Sequence, residues 1–195
     1  MSKEQQYHRF SVAQRLEHAL LILSFTTLVV TGIPQKYAGT AIGEGLIALL
    51  GGIETARVIH RISAIIFSLA IVYHIVVVGY KIFVRRTALT MLPGLKDAFD
   101  AVQSIAFNLG LTKKRPEMPR YNFAEKVEYW AMIWGSVIMA LTGFMLWNPI
   151  FTAKLLPGEI IPAAKAAHGA EAVLAALAIL IWHFYNVHIK AFNKA

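Results

Sequence analysis

Residues 59–80 read IHRISAIIFSLAIVYHIVVVGY, an apolar run that contains Arg61 and the histidines His60 and His74. A helix of about 20 apolar residues is enough to cross the hydrocarbon core of a bilayer. Ionisable side chains are costly there, and they usually face the interior of a bundle and take part in function. This stretch therefore predicts a membrane-spanning helix whose two histidines need partners.

Three more stretches of similar character, 16–33, 129–147 and 166–187, bring the number of predicted spans to four. Of the 195 residues, 57% are hydrophobic and 15% are charged, whereas a soluble domain carries about a quarter charged residues. We therefore predict an all-α fold, an integral membrane four-helix bundle that forms one membrane domain over residues 1–195. The absence of cysteine excludes disulfides, thiolate zinc sites and iron–sulfur ligation.

The basic residues predict the orientation of these spans. Of the 19 lysines and arginines, 14 lie before the first span, in the loop 81–126 or after the last span. The positive-inside rule therefore places both termini and this loop in the cytoplasm, as in a multi-pass protein of the inner (cytoplasmic) membrane. Topology thus accounts for the net charge of +8, and we predict contact with membrane lipid and no nucleic-acid partner. Two loop segments, 42–53 and 92–109, predict short interfacial helices.

An internal repeat divides the chain into two halves of two spans each. The residues Arg15-Leu16-Glu17-His18 and Thr31-Gly32 match Lys126-Val127-Glu128-Tyr129 and Thr142-Gly143 at a constant offset of 111. The second and fourth spans match at their histidines, His60 with His168 and His74 with His183, at offsets of 108 and 109. Because each half crosses the membrane twice, both halves have the same orientation, and a parallel repeat is predicted.

The histidine spacing predicts two stacked pairs. At about 100° and 1.5 Å per residue, His60 and His74 lie about 40° apart on the helix and roughly 21 Å apart along its axis, whereas His168 and His183 lie about 60° and roughly 22 Å apart. His60 and His168 thus share the outer depth, and His74 and His183 share the inner depth. Two imidazoles that face each other at one depth of a bundle are the axial ligands of haem b. A metal ion bound by histidine alone needs three or four ligands at one depth.

Further histidines leave the number of haems open at two or three. His18 begins the first span at the inner depth, so it competes with His74 to face His183. His188 follows His183 by five residues, about 140° around the helix, and either ligates a third haem or lies at the solvated interface. His8 is predicted to lie on the surface. The candidate ligands of haem iron are therefore His18, His60, His74, His168, His183 and His188.

Other residues suit a haem site and also have simpler interpretations. The small residues Gly32 and Gly143 are expected to let a flat macrocycle approach the backbone, although small residues equally suit helix packing. Arg57 and Arg61 flank His60 at the outer end, where they either pair with haem propionates or anchor the helix at the interface.

Taken in order, these motifs resemble the cytochrome b (gamma) subunit of membrane-bound formate dehydrogenases and the related subunits of nickel–iron hydrogenases and thiosulfate reductases. The resemblance covers nearly the whole chain and includes Arg15-x-x-His18, Thr31-Gly32, Arg57-x-x-His60, Tyr121-Asn122-x-x-x-Lys126, Thr142-Gly143, His168 and His183. It implies a four-helix dihaem protein that carries electrons between a partner subunit and quinone. It also implies that His60 and His168 hold the outer haem, that His18 and His183 hold the inner haem, and that Asn122 belongs to a quinone site.

The chain departs from that family pattern at a few positions. His74 and His188 have no counterpart in it, so the inner pairing and a third haem stay open. Ala124 stands where the family has a glycine two residues after the asparagine. Glu125 and Glu128 follow, and each either relays a proton to reduced quinone or stabilises the start of the helix through its dipole.

The predicted function is that of an electron-transfer subunit of a quinone-linked oxidoreductase. Its expected cofactor is haem b, its substrate is quinone, and its expected partner is an iron–sulfur or multihaem subunit. Two alternatives stay open: a proton-coupled transporter that uses the histidines as a relay, and a structural anchor in which they only hydrogen-bond between helices.

Overall fold

The computed structural model describes residues 11–87, 89–114, 116–117, 119 and 121–189. The fold is all-α: it is 80% helical, and no strand occurs among the residues described. The structure therefore confirms the predicted fold class. Four helices are long and apolar enough to cross a membrane: Val12–Lys36, Ile53–Phe83, Phe123–Trp147 and Ile160–Val187. Each of the four predicted spans lies within one of these helices, whereas His8 and both chain ends lie outside the described residues.

The helices of the described part of the chain are α1 (Val12–Lys36), α2 (Ala41–Leu49), α3 (Ile53–Phe83), α4 (Leu95–Asn108), α5 (Phe123–Trp147), α6 (Pro149–Leu155) and α7 (Ile160–Leu177). The last span continues beyond α7 as two π-helical segments, Ala178–His183 and Tyr185–Ile189. The short helices α2 and α4 occupy the two loop segments where helices are predicted. Neither α6 nor the π-helical segments are among the sequence predictions.

The chain divides into two compact units, Met1–Val76 and Val77–Ala195. Each unit contains one half of the internal repeat. In the first unit, Ser11 and Gln14 form a capping box that begins α1, with the Gln14 amide donating to Ser11 Oγ at 3.3 Å. Because the end of α1 contacts the start of α3 and the start of α1 contacts the end of α3, these two helices run antiparallel.

In the second unit, α5 and the last span run antiparallel in the same way. Helix α4 and the segment before it lie against the start of α5 through polar groups. The Lys126 ammonium donates to Oδ2 of Asp97 in α4 at 2.8 Å, and the Trp130 indole nitrogen donates to the carbonyl of Met91, which precedes α4, at 2.9 Å. The hydrogen bond from Lys126, together with one from the Gly94 amide, holds the pKa of Asp97 below its usual value. These contacts attach the predicted cytoplasmic loop to α5.

Small and hydroxyl-bearing side chains account for much of the buried surface. Ala70 and Ser24 are buried in the first unit, and Ala176 and Ser136 are buried in the second. Large apolar side chains point outward, as Leu69 does with 64% of its surface exposed. In lipid there is no hydrophobic drive between helices, so close packing of small residues and internal hydrogen bonds hold them together. Exposed large apolar side chains of this kind are expected on helices that cross a membrane.

Helix α4 also has an exposed apolar face, which contains Leu95, Phe99 and Val102. A helix with one polar and one apolar face commonly lies in the plane of the membrane interface. The polar face of α4 contacts α5, so its apolar face is available to lipid. The location of α4 at the interface stays a prediction.

Candidate functional site

A threonine and a histidine join the two long helices of each unit near their predicted outer ends. In the first unit, Thr31 Oγ1 lies 2.9 Å from His60 Nδ1. In the second unit, Thr142 Oγ1 lies 2.9 Å from His168 Nδ1. The two contacts are equivalent in the internal repeat, and they explain why a threonine occurs at the same place in both halves.

The threonine hydroxyls also contact main-chain carbonyls. Thr31 Oγ1 donates to the Thr27 carbonyl and Thr142 Oγ1 donates to the Ile138 carbonyl, both at 2.6 Å. A hydroxyl has a single proton to donate but two acceptor sites. A hydroxyl that donates to the carbonyl is left with sites that suit an Nδ1–H donor, and His168 also has a hydrogen bond to the Met139 carbonyl. When Nδ1 of a neutral ring carries the proton, the lone pair lies on Nε2, which is an atom through which histidine binds metals.

The glycines that follow the threonines make room for the imidazole rings. A Cβ atom at Gly32 would lie 2.9 Å from Cε1 of His60, and one at Gly143 would lie 3.2 Å from Cε1 of His168. Both distances are shorter than an ordinary van der Waals contact. The sequence predicts that these glycines admit a macrocycle; in the structure the neighbour they admit is the histidine ring.

A glutamate takes the place of the threonine at the predicted inner ends. Glu17 Oε1 accepts a hydrogen bond from His74 Nδ1 at 2.5 Å, and Glu128 Oε1 accepts one from His183 Nδ1 at 2.5 Å. An ionised carboxylate can only accept, so its partner in each pair is a ring in which Nδ1 carries the proton. Both glutamates belong to the internal repeat, but their positions in the sequence pair neither of them with a histidine. Their constant offset of 111 is the signal that links them.

A π-helical segment lets His183 contact a glutamate in the same way as His74, its counterpart in the repeat, despite one extra residue in the spacing. His60 and His74 are 14 residues apart, whereas His168 and His183 are 15 apart. In a continuous α-helix the extra residue would turn His183 by about 100°. Residues Ala178–His183 are π-helical, and a π turn contains one residue more than an α turn. The predicted angle of about 60° between His168 and His183 is therefore wrong, because it assumes a regular α-helix.

His18 lies on the exposed side of α1, next to Glu17. Glu17 contacts His74, and successive helical residues point about 100° apart, so His18 lies on a neighbouring face of α1. In the repeat, the counterpart of His18 is Tyr129, while His74 and His183 are counterparts with the same kind of partner. The structure thus brings His74 together with a carboxylate, and it does not give His18 an equivalent in the second unit.

Asn122 caps α5 in the structure. Its Oδ1 accepts from the Glu125 amide at 3.0 Å, and Glu125 Oε2 accepts from the Asn122 amide at 2.9 Å, which forms a capping box. Glu125 is therefore part of the cap of α5, and the two roles predicted for it, proton relay and interaction with the helix dipole, stay predictions. The quinone contact of Asn122 stays a prediction.

The remaining sequence candidates are placed as follows. In the first unit, Arg57 forms an exposed ion pair with Glu54 at 2.6 Å. The backbone of His188 belongs to the second π-helical segment, and its side chain lies outside the described part of the structure. Neither observation tests the roles predicted for Arg57 and His188.

Comparison with known proteins identifies the family of this chain. Residues 96–194 match the family described as prokaryotic cytochrome b561. The chain belongs to that family. The cytochrome b556(Fdn) subunit of the nitrate-inducible formate dehydrogenase of Escherichia coli strain K12 is 23% identical over 194 residues, which are 100% of this chain and 83% of that protein. The cytochrome b556(fdo) subunit of a formate dehydrogenase from the same strain is 22% identical over 179 residues, or 91% of this chain and 76% of that protein.

This member of the cytochrome b561 family is a membrane b-type cytochrome that acts in electron transfer, and the family implies haem b as its cofactor. The residues present fit that group. Four imidazoles are held through Nδ1–H, which directs the Nε2 lone pair of each neutral ring to a metal. The close approach of Gly32 and Gly143 to two of these rings restricts the rings further.

The π-helical segment leads to a prediction about single-residue deletions in this cytochrome. Deletion of Ile179 is expected to convert the segment to a regular α-helix and to leave His183 on the same face, so the haem content should stay at the wild-type level. The matched control is deletion of Ser68, which lies between His60 and His74 where α3 is a regular helix. This second deletion turns His74 by about 100° and should remove one haem. Equal haem loss in both variants would contradict the role assigned to the π turn.

Proposed function

We propose that this cytochrome carries electrons across the membrane between a partner redox subunit and quinone through two stacked haem b groups. In this proposal one imidazole from each half of the repeat ligates each iron. His60 and His168 hold the outer haem, and His74 and His183 hold the inner haem. The observation that carries the proposal is that Nδ1 of all four rings lies 2.5 to 2.9 Å from a hydroxyl or carboxylate oxygen, which leaves Nε2 as the nitrogen that ligates iron in this proposal.

In this proposal the four histidines bind iron, and their hydrogen-bond partners orient the imidazole rings. Each ring is oriented by a group on a neighbouring helix, which fixes its plane before the cofactor binds. The two ligands on α3 are roughly 21 Å apart along the helix, so the two cofactors lie near opposite membrane surfaces. Haem b supplies one-electron transfer at its iron, and the protein contributes ligands, burial and orientation.

The relatives support the proposed partner and the quinone link. The proteins similar to this chain are named as cytochrome subunits of formate dehydrogenases, so the partner we propose is a catalytic, iron–sulfur or multihaem subunit of an oxidoreductase complex. The basic loop favours the inner membrane with both termini in the cytoplasm. Quinone would then bind near Asn122 at the cytoplasmic end, where protons are available, and Arg57 and Arg61 would lie at the outer end.

The two glutamate–histidine pairs also favour a second candidate, a proton-coupled transporter. Carboxylates and imidazoles within a membrane are the groups from which proton relays are built. A relay needs no porphyrin, however, and does not need two histidines at each of two depths. The candidates therefore differ in a directly measurable property, the presence of haem.

The test of the proposed function is an absorption spectrum of the full chain purified from cells supplied with haem precursor. A sharp α-band on reduction and a pyridine haemochrome value of about two haems per chain are expected for paired histidine ligands. A value near three would assign a haem to the additional histidines. A colourless protein would contradict electron transfer by this chain and favour the transporter or the structural anchor.

A further inference from the structure

The two predicted depths differ in the group that accepts the Nδ1–H of the histidine. At the outer depth Nδ1 contacts a neutral threonine hydroxyl in both units, and His168 also has a hydrogen bond to the neutral Met139 carbonyl. At the inner depth Nδ1 contacts a glutamate carboxylate in both units. The same difference thus occurs twice, in two halves of the chain whose sequences have diverged.

This difference affects the basicity of the ligands. A carboxylate that accepts Nδ1–H increases the electron density on Nε2 and makes the imidazole a more basic ligand. Hydrogen bonds to an ionised acceptor are roughly twice as strong as those to a neutral one. A more basic axial ligand stabilises ferric iron relative to ferrous iron, and outer-shell hydrogen bonds of this kind are among the factors that set haem potentials.

The environment of the two glutamates preserves this effect. The exposed fraction of the side chain is 13% for Glu17 and 27% for Glu128, so water screens either charge only in part. Both carboxylates act through a histidine and are positioning residues in this sense.

We propose that Glu17 and Glu128 make the inner haem, ligated by His74 and His183, the low-potential member of the pair. This inference rests on the proposed function, because it needs two haems with these ligands. Its consequence is an order of midpoint potentials: an electron shared between the two haems at equilibrium resides mainly on the outer haem.

The test is an optical redox titration of the full-length protein in detergent, with dithionite as reductant and ferricyanide as oxidant. Each iron takes up one electron as it passes from the ferric to the ferrous state. The His60→Ala variant, which lacks the outer haem in this proposal, identifies the midpoint of the inner haem. In the wild type the inner midpoint is expected to be the more negative one.

Glu17→Gln and Glu128→Gln each replace a carboxylate with a neutral acceptor of the same shape. Each variant is expected to shift the inner midpoint positively by at least 59 mV, the equivalent of a tenfold change in the preference for ferric iron in a one-electron couple. The outer midpoint should stay at its wild-type value. The matched controls are Thr31→Val and Thr142→Val, which remove a neutral acceptor at the outer depth and should leave the inner midpoint unchanged.

The outcomes separate this inference from the function on which it rests. A wild-type protein without haem would contradict the proposed function itself. A haem-loaded protein in which the inner midpoint equals or exceeds the outer one, or in which neither glutamine variant moves it, would overturn the inference alone. If a glutamine variant fails to bind the inner haem, the order of the two wild-type midpoints still tests the inference. Glu17→Asp and Glu128→Asp, which keep the carboxylate, should then bind the inner haem with a midpoint more negative than that of the outer haem.

Discussion

Replacement of either His60 or His168 by alanine is expected to remove the same single haem. Each variant lacks one of two axial ligands of the outer haem, and the remaining histidine cannot hold the porphyrin in the paired coordination that a low-spin haem b requires. The pyridine haemochrome value should fall from about two haems per chain to about one. The α-band that remains should be identical in both variants.

The double variant of His60 and His168 provides the control. If both residues ligate the same iron, the double variant loses no more haem than either single variant and keeps the inner haem. If the two histidines belong to different haems, the single variants show different residual spectra and the double variant is colourless. That result would contradict the assignment of His60 and His168 to one haem.

The second large effect is expected at the inner haem. His74→Ala and His183→Ala should each remove it, whereas His18→Ala should retain it. The reason is that His74 and His183 occupy equivalent positions in the repeat and donate to equivalent carboxylates, while the counterpart of His18 is Tyr129. Haem content and the reduced spectrum of the three variants measure the difference.

The family resemblance implies the opposite result for the first unit. It assigns the inner haem to His18 and His183, so haem loss in His18→Ala with retention in His74→Ala would support that assignment. His188→Ala tests the remaining possibility in the same assay. Loss of a third haem in this variant would place His188 among the ligands, and an unchanged spectrum would remove it from the candidates.

The membrane fold was predictable because it depends on local composition. The run 59–80 is apolar over a length that matches the bilayer core, and three other runs share this property. The loop helices α2 and α4 were predictable for the same reason, from apolar residues at helical spacing. Helix α6 is too short and too close to the end of α5 to produce a separate pattern.

The partners of the histidines were not predictable from spacing. Glu17 directly precedes His18 in the chain, but the carboxylate of Glu17 contacts His74, which lies 57 positions later in the sequence. Glu128 is predicted either to relay protons to quinone or to stabilise the helix start, and both roles stay predictions; its carboxylate contacts His183, which neither role anticipates. In each case the neighbours of the glutamate in the sequence do not indicate its partner, because contacts between helices depend on the helix face and the membrane depth at which a residue lies.

The amino-acid pattern alone was sufficient to establish four membrane spans, the two-fold repeat and the periodic histidines of α3 and the last span. These properties follow from hydropathy and from regular helix geometry, which are local. The tautomers of the histidines, the carboxylate partners and the orientation of His183 emerged only from the folded chain. They depend on hydrogen bonds between helices and on one π-helical segment, and neither leaves a signature in the composition of a single helix.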